Sequence, residues 1–326
     1  MEKTGGLIMK KRTNLFLAAV LSAGMLLSAC APKTTTIRLA TGGNTGTYYA
    51  FGTAVSQILG NKAGLTFNVQ STGASKANIQ LISSNEVDMA MVQNDVMDYA
   101  FKGTDLFAAD GALKGFSAMA AVYAEVVQIV ADPTAGITSI ADLKGKNVSV
   151  GDAGSGVEFN AKQILEAYGI TFNDIKKQNL SFSASADAFK DDKIDAFFCT
   201  AGAPTTAIMD LVTSKQISIL SVDGDKAAEL ITKHPFYTKY DIPAGTYKGV
   251  DTVTSTLAVK ATFIVSDKLD ETTVYNMTKA LFENKDAIAS AHAKGKEINT
   301  AYAVDGISIP FHKGAEKYFK EVGALK

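Results

Sequence analysis

Two long apolar runs constrain this chain more than any other feature. FSAMAAVYAEVVQIVA (116–131) and TVTSTLAVKATFIVS (252–266) are rich in β-branched and small residues. Runs of this kind read as strands buried on both faces. The first reads as two strands joined through Tyr123–Glu125, the second as one extended crossing.

Around these runs, short strands alternate with helical stretches. IRLA leads to a helix over Tyr48–Leu59, with Phe51, Val55 and Leu59 at helical spacing. LTFNVQ, VDMAMVQ, NVSVG, IDAFFCT and ISILSV read as strands. Helices fall over Ser75–Ser83, Asp95–Ala100, Val157–Tyr168, Ala184–Lys190, Pro204–Val212, Asp225–Lys233, Asp270–Asn284 and Gly314–Glu321, with a short one at Ile140–Leu143. Alternation of this kind implies parallel sheets with helices on both faces. SSNEVDMAMVQND (83–95) is echoed by KDDKIDAFFCTAG (190–202), and TGGNTG by GDAGSG (151–156). The echo fits two similar α/β lobes, or coincidence of common α/β patterning. At 326 residues and 47% hydrophobic content, the chain is large enough for two domains.

The first 29 residues are of another kind. Lys10, Lys11 and Arg12 precede an apolar run from Leu15 to Ala29, then Cys30, the layout of a secretory signal. Those 15 residues fall short of the roughly 20 a spanning helix needs. Leu27-Ser28-Ala29-Cys30 resembles the lipobox of bacterial lipoproteins, which would make Cys30 the lipidated first residue of the mature chain. Met9 serves as well as Met1 for the true start. Residues 30–36 read as a tether. Loss of 1–29 removes four basic residues and one acid, taking the net charge from -1 to -4. Nothing in that balance points to nucleic acid. Cys199 is then the only cysteine, so no intramolecular disulfide forms, and its apolar setting suits a buried thiol.

The opening loop, Thr41-Gly42-Gly43-Asn44-Thr45-Gly46, has strand-to-helix layout but lacks G-x-G-x-x-G, and Gly46 is followed by Thr47-Tyr48 rather than Lys-Ser/Thr. Both nucleotide templates therefore fail. Glycines at a helix N-terminus still turn backbone N–H groups toward an anion, with Thr45, Thr47, Tyr48 and Tyr49 adding hydroxyls; a tight turn with ordinary caps is the alternative. In GDAGSGVEF, Ser155 and Glu158 have capping-box spacing beside Gly156 and Val157. Ala153-Gly154-Ser155-Gly156-Val157 lacks the G-x-S-x-G elbow a nucleophilic serine needs. Gln93-Asn94-Asp95 and Thr200-Ala201-Gly202 end strands, where open α/β sheets bind ligands. Glu125 reads either as a ligand contact or as a tie at a hinge. His234, His292 and His312 have no metal-ligand spacing, no cofactor motif is present, and Arg38 is the only arginine after residue 29.

With these segments in hand, the chain resembles a known family: the solute receptors of tripartite ATP-independent periplasmic (TRAP) transporters, TAXI subgroup. The resemblance covers nearly all of 37–322 and is carried by LATGGNTGTYYAFG, STGASKANIQLISSNEVDMAMVQND, VYAEVVQIVA, SIADLKGKNVSVGDAGSGVEFNAKQILEAYGI, DAFFCTAGAP and IPFHKGAEKYFKE. It implies a type II periplasmic-binding-protein fold, with two α/β lobes, two crossing strands and an interlobe cleft. Lobe 1 would be 37–122 plus 253–326, and lobe 2 would be 123–252. It implies capture of a small organic anion, a dicarboxylate or an acidic amino acid, for delivery to permease subunits, with no catalysis and no cofactor. It places Gly42, Gly43, Asn44, Thr45, Tyr48, Tyr49, Gln93, Asn94, Glu125, Ser155, Gly156, Val157, Thr200, Ala201 and Gly202 at the cleft. Asn44 and Ala50-Phe51 depart from the family pattern, which bears on the substrate. An accessory sensor for a receptor kinase would use the same fold. An enzyme on it would lack an activated nucleophile, a metal cluster and a cofactor motif.

Overall fold

A computed structural model describes residues 35–326. The expected signal segment, the lipobox and Cys30 lie outside the described residues. The strands and helices in chain order are β1 (Thr36–Ala40), α1 (Thr47–Ala63), β2 (Thr66–Gln70), α2 (Ser75–Ser83), β3 (Met89–Gln93), α3 (Asn94–Lys102), β4 (Phe116–Ala131), β5 (Asn147–Ser149), α4 (Gly156–Ala167) and β6 (Lys176–Gln178). They continue with α5 (Phe182–Lys190), β7 (Ala196–Ala201), α6 (Thr206–Leu211), β8 (Ser218–Leu220), α7 (Gly224–Lys233), β9 (Thr238–Ile242) and β10 (Thr254–Ser266). The chain closes with α8 (Glu271–Glu283), α9 (Lys285–Ala291), α10 (Thr300–Val304) and α11 (Lys313–Glu321).

The strands run in the order β2-β1-β3-β10-β4-β7-β5-β6, with β8 paired to β4 and β9 to β10. Pairing is parallel within β2-β1-β3 and within β7-β5-β6. It is antiparallel wherever β4 or β10 takes part. The two apolar runs are thus the seam between two parallel sets. β4 is one continuous strand of 16 residues, not two strands broken at Tyr123–Glu125. The polar Tyr-Ala-Glu segment does not interrupt it, because both its flanks are bonded. β10 covers β4 from Phe116 to Val126, and β7 takes it from Val126 to Ala131. Beyond Ala258, β10 pairs with β9 instead.

Helices pack both faces of each set, and the cores follow. Ile37, Leu39, Met91 and Phe263 meet Phe51, Val55 and Leu59 of α1, which recur at i and i+4 on one buried face. Gly64, at φ 68°, then ends α1 in the left-handed region. In the second lobe, Val148, Ala196 and Phe198 pack against Val157, Ala161, Ile164 and Leu165 of α4. Leu257 and Val259 of β10 join that second core, so the crossing strand packs with both lobes. α1 runs one turn past the expected end, α5 starts at Phe182 rather than Ala184, and α6 starts only after Pro204. No helix among the described residues is long and apolar enough to cross a membrane.

Candidate functional site

The carboxyl ends of β1, β3, β5 and β7 converge on one cavity of about 40 Å³. The β1–α1 loop contributes Gly42, Gly43, Gly46, Thr47 and Tyr48, and the start of α2 adds Ala74 and Ser75. Gln93 ends β3, Glu125 lies on β4, and Thr200 and Ala201 end β7. Asp152, Ser155, Gly156, Val157 and Phe182 close it from the second lobe. One water needs roughly 10–15 Å³ by the same measure, so only a few heavy atoms fit without opening.

The loops are held from behind. Buried Asn78 donates to Thr41 O at 2.6 Å and to Met91 O at 2.7 Å, fixing the ends of β1 and β3 together. The turn closes with Gly46 N donating to Gly43 O at 2.9 Å. That closure throws Asn44 and Thr45 outward: Asn44 is exposed, Thr45 half-buried, and neither lines the cavity. Tyr48 points inward. Tyr49 follows roughly 100° further round the helix, so it leaves the site and is half-buried. Asn94 is buried but turned to the crossing strand, accepting from Lys260 N at 2.9 Å. Gly202 also stays outside the lining: its carbonyl accepts from Thr47 Oγ1 at 3.1 Å and Thr205 Oγ1 at 3.0 Å. A side chain there would meet Lys294 Cε at 2.8 Å. Of the fifteen expected contacts, ten line the cavity and these five do not.

The cap at α4 is half of what the spacing suggests. Ser155 Oγ accepts from Glu158 N at 3.1 Å. The Glu158 carboxylate reaches back to Gly154 N at 2.6 Å, not to Ser155 N, and holds Lys177 and Asn179 at 2.8 and 3.0 Å. The N-terminus of α1 has no side-chain cap, so its first-turn N–H groups remain available at the cavity.

The electrostatics are those of a buried acid without a cation. Glu125 is 2% exposed, and burial pushes its carboxyl up to about 8. Tyr48 and Gln93 approach it closely enough to oppose that rise, yet Glu125 Oε2, Tyr48 Oη, Gln93 Oε1 and Thr200 Oγ1 all lack hydrogen-bond partners. No lysine, arginine or histidine is among the described residues lining the cavity. Arg38 is elsewhere, paired with Asp88 at 2.7 Å. Cys199 is fully buried, and burial raises its thiol far above the usual range. Among the described residues no cluster of His, Cys, Asp and Glu could hold a metal.

Residues 39–323 match the model of the NMT1-like family. The chain belongs to the NMT1-like family. Solved structures similar in fold include the periplasmic aliphatic sulphonate binding protein SsuA from Escherichia coli, at 13% identity and TM-score 0.51, covering 90% of this chain and 84% of that one. A binding-protein component of an ABC phosphonate transporter from Pseudomonas aeruginosa is similar at 12% identity and TM-score 0.52, with 84% of each chain covered. This NMT1-like chain has the mixed α/β fold of periplasmic binding proteins.

Some lining residues of the NMT1-like chain were not legible as contacts. Ala74 and Ser75 open α2 after a loop, STGAS, that carries the same glycine-and-hydroxyl signal as the opening loop. Phe182 had a signal in Ser181, which caps α5 by accepting from Ala184 N at 3.3 Å and so starts the helix early. Asp152 lay inside GDAGSG but offered nothing to separate it from a turn residue.

Proposed function

We propose that this chain is an extracytoplasmic solute-binding protein that captures a small organic anion, a dicarboxylate or an acidic amino acid, for a TRAP-type secondary transporter. The observation that carries the reading is the cavity between two lobes, lined by buried polar atoms without partners. Unpaired buried polar groups are destabilising unless something binds them. The uncapped start of α1 supplies N–H donors for a carboxylate. The assignment to the TRAP class and its TAXI subgroup rests on the sequence segments quoted above; the ten cavity residues that match them support it.

In this reading the chain is exported and anchored by lipid on Cys30, and it performs no chemistry on its ligand. The lobes, 37–122 with 253–326 and 123–252, rotate about β4 and β10 to admit the solute and close over it. Permease subunits then read the closed form.

A thermal-shift series with L-glutamate, 2-oxoglutarate and succinate tests this. A ligand at a hundredfold excess over its Kd adds about 2.7 kcal/mol to stability, which moves the melting temperature by several degrees. Mass spectrometry of the purified protein checks that no solute was carried through. If the cleft is empty and no small anion raises the melting temperature, the receptor reading fails.

A further inference from the structure

Gln93 ends β3 in the first lobe and is 2% exposed. Its Nε2 donates to Asn160 Oδ1 at 3.1 Å, while its Oε1 has no partner and faces the cavity beside Gly156. Asn160, fully buried on α4 of the second lobe, donates its Nδ2 to Asp95 Oδ2 at 3.1 Å and to Tyr237 Oη at 2.9 Å. Tyr237 Oη in turn donates to Gln163 Oε1 at 2.7 Å. Asp95 is 1% exposed, and its other oxygen accepts from Val96 N at 2.8 Å.

The chemistry of these groups dictates the direction of every bond. An ionised carboxylate only accepts, so Asn160 must turn its NH2 toward Asp95. Its carbonyl then faces Gln93, so Gln93 must turn its own NH2 toward Asn160. What remains for the ligand is an oxygen. The reverse setting would put the Asn160 carbonyl oxygen against the Asp95 carboxylate. Burial pushes Asp95 up to about 6, against the pull of Val96 N and Asn160, so the carboxylate is ionised at neutral pH and above.

We propose that Asp95, acting through Asn160, fixes Gln93 as an acceptor in the cavity, and that this selects solutes carrying an ammonium group over their isosteric oxo acids and over dicarboxylates. The inference deepens the receptor reading and rests on it. A second unpartnered oxygen, Glu125 Oε2, lines the same cavity, and it becomes acceptor-only as pH rises through about 8 and its carboxyl ionises. An α-amino acid satisfies both ends: its carboxylate meets the uncapped N–H groups of α1, and its ammonium meets Gln93 Oε1 and Glu125. A dicarboxylate brings oxygen to Gln93 Oε1, which has no proton to offer it. Asp95 and Asn160 do not line the cavity, so they are positioning residues.

Isothermal titration at pH 8 with two matched pairs, L-glutamate against 2-oxoglutarate and L-alanine against pyruvate, tests the relay. In the protein as it stands, the amino acid of a pair binds at least about tenfold more tightly than its oxo acid. Asp95→Asn supplies a donor to Asn160, reverses both amides and lowers that ratio at least about tenfold. Asn160→Ala cuts the relay and lowers the ratio too, and it decides the matter if Asp95→Asn does not fold by circular dichroism. The exchange Asp95→Asn with Asn160→Asp restores an acceptor opposite Gln93 and restores the preference. A merely structural role would change both affinities of a pair together and leave the ratio alone. Preference for the oxo acid, or an unchanged ratio in the folded variants, overturns the relay. Binding of succinate without any of the four probes also overturns it while the receptor reading stands. Binding of no small solute fells the receptor reading itself.

Discussion

Glu125 has its carboxyl raised by burial from the ordinary 4.5 to about 8. Between those values the unfolded chain has lost the proton and the folded chain has kept it. Folding therefore becomes less favourable as pH rises through that window, and the effect is absent below it. The penalty above pH 8 is of the order of 3–5 kcal/mol for a shift of this size. Glu125→Gln removes the ionisation and keeps the shape. We expect the unliganded variant to match the wild type in denaturant melts at pH 4 and to exceed it increasingly toward pH 8. A stability difference that does not grow with pH would mean Glu125 is not buried as an acid. The same variant should bind amine-bearing solutes more weakly at pH 8 and above, since an amide cannot ionise to pair with the ammonium. Composition and spacing singled out Glu125 as an acid inside an apolar strand and left contact or hinge tie open; its burial and its unpaired oxygen favour contact.

The start of α4 carries two separable roles. Ser155 caps the helix, so Ser155→Ala should lower stability by about 1 kcal/mol in urea melts. Gly156, one residue on, leaves the room that Gln93 Oε1 occupies. Gly156→Ala should leave each lobe folded by circular dichroism yet prevent this closed arrangement, lowering affinity by about tenfold or more, since one blocked contact is worth that much. Wild-type affinity in Gly156→Ala would show that the ligand-bound form does not bring Gln93 this close. At the scale of elements much of the fold was legible, because the longer helices bury a stripe at 3.6-residue spacing and the inner parallel strands β3 and β7 are solid apolar runs. β6 (Lys176–Gln178) and β9 (Thr238–Ile242) were not, since both are largely exposed edge strands of mostly polar sequence. The continuity of β4 was missed for a related reason. Tyr123 and Glu125 look like a break in sequence, but paired backbone carries them through.

Across the whole molecule, the polar contacts that join the two lobes include Thr47 with Gly202, Gln93 with Asn160, Asn160 with Asp95 and Gln163 with Tyr99, and in the proposed receptor they hold the closed form. A cavity of about 40 Å³ admits a solute only if these part. Small-angle scattering should therefore show a fall in radius of gyration on addition of a bound solute, and Asn160→Ala should need more solute for the same fall. An unchanged radius at saturation would exclude lobe closure. These contacts were beyond the sequence, because each joins residues more than sixty positions apart and depends on which helix face turns inward. The two glycine loops could be seen to be alike, but not that α1 would be left uncapped and α4 capped.

The course of β4 has one more consequence. Glu125 sits one residue before the point where that strand exchanges β10 for β7. In the proposed receptor, the group that meets the solute would be mounted on the axle about which the lobes turn, and selectivity and gating would share one residue. A chain retuned at position 125 for another solute should change its opening rate along with its affinity, and stopped-flow release measured across such variants should show the two moving together.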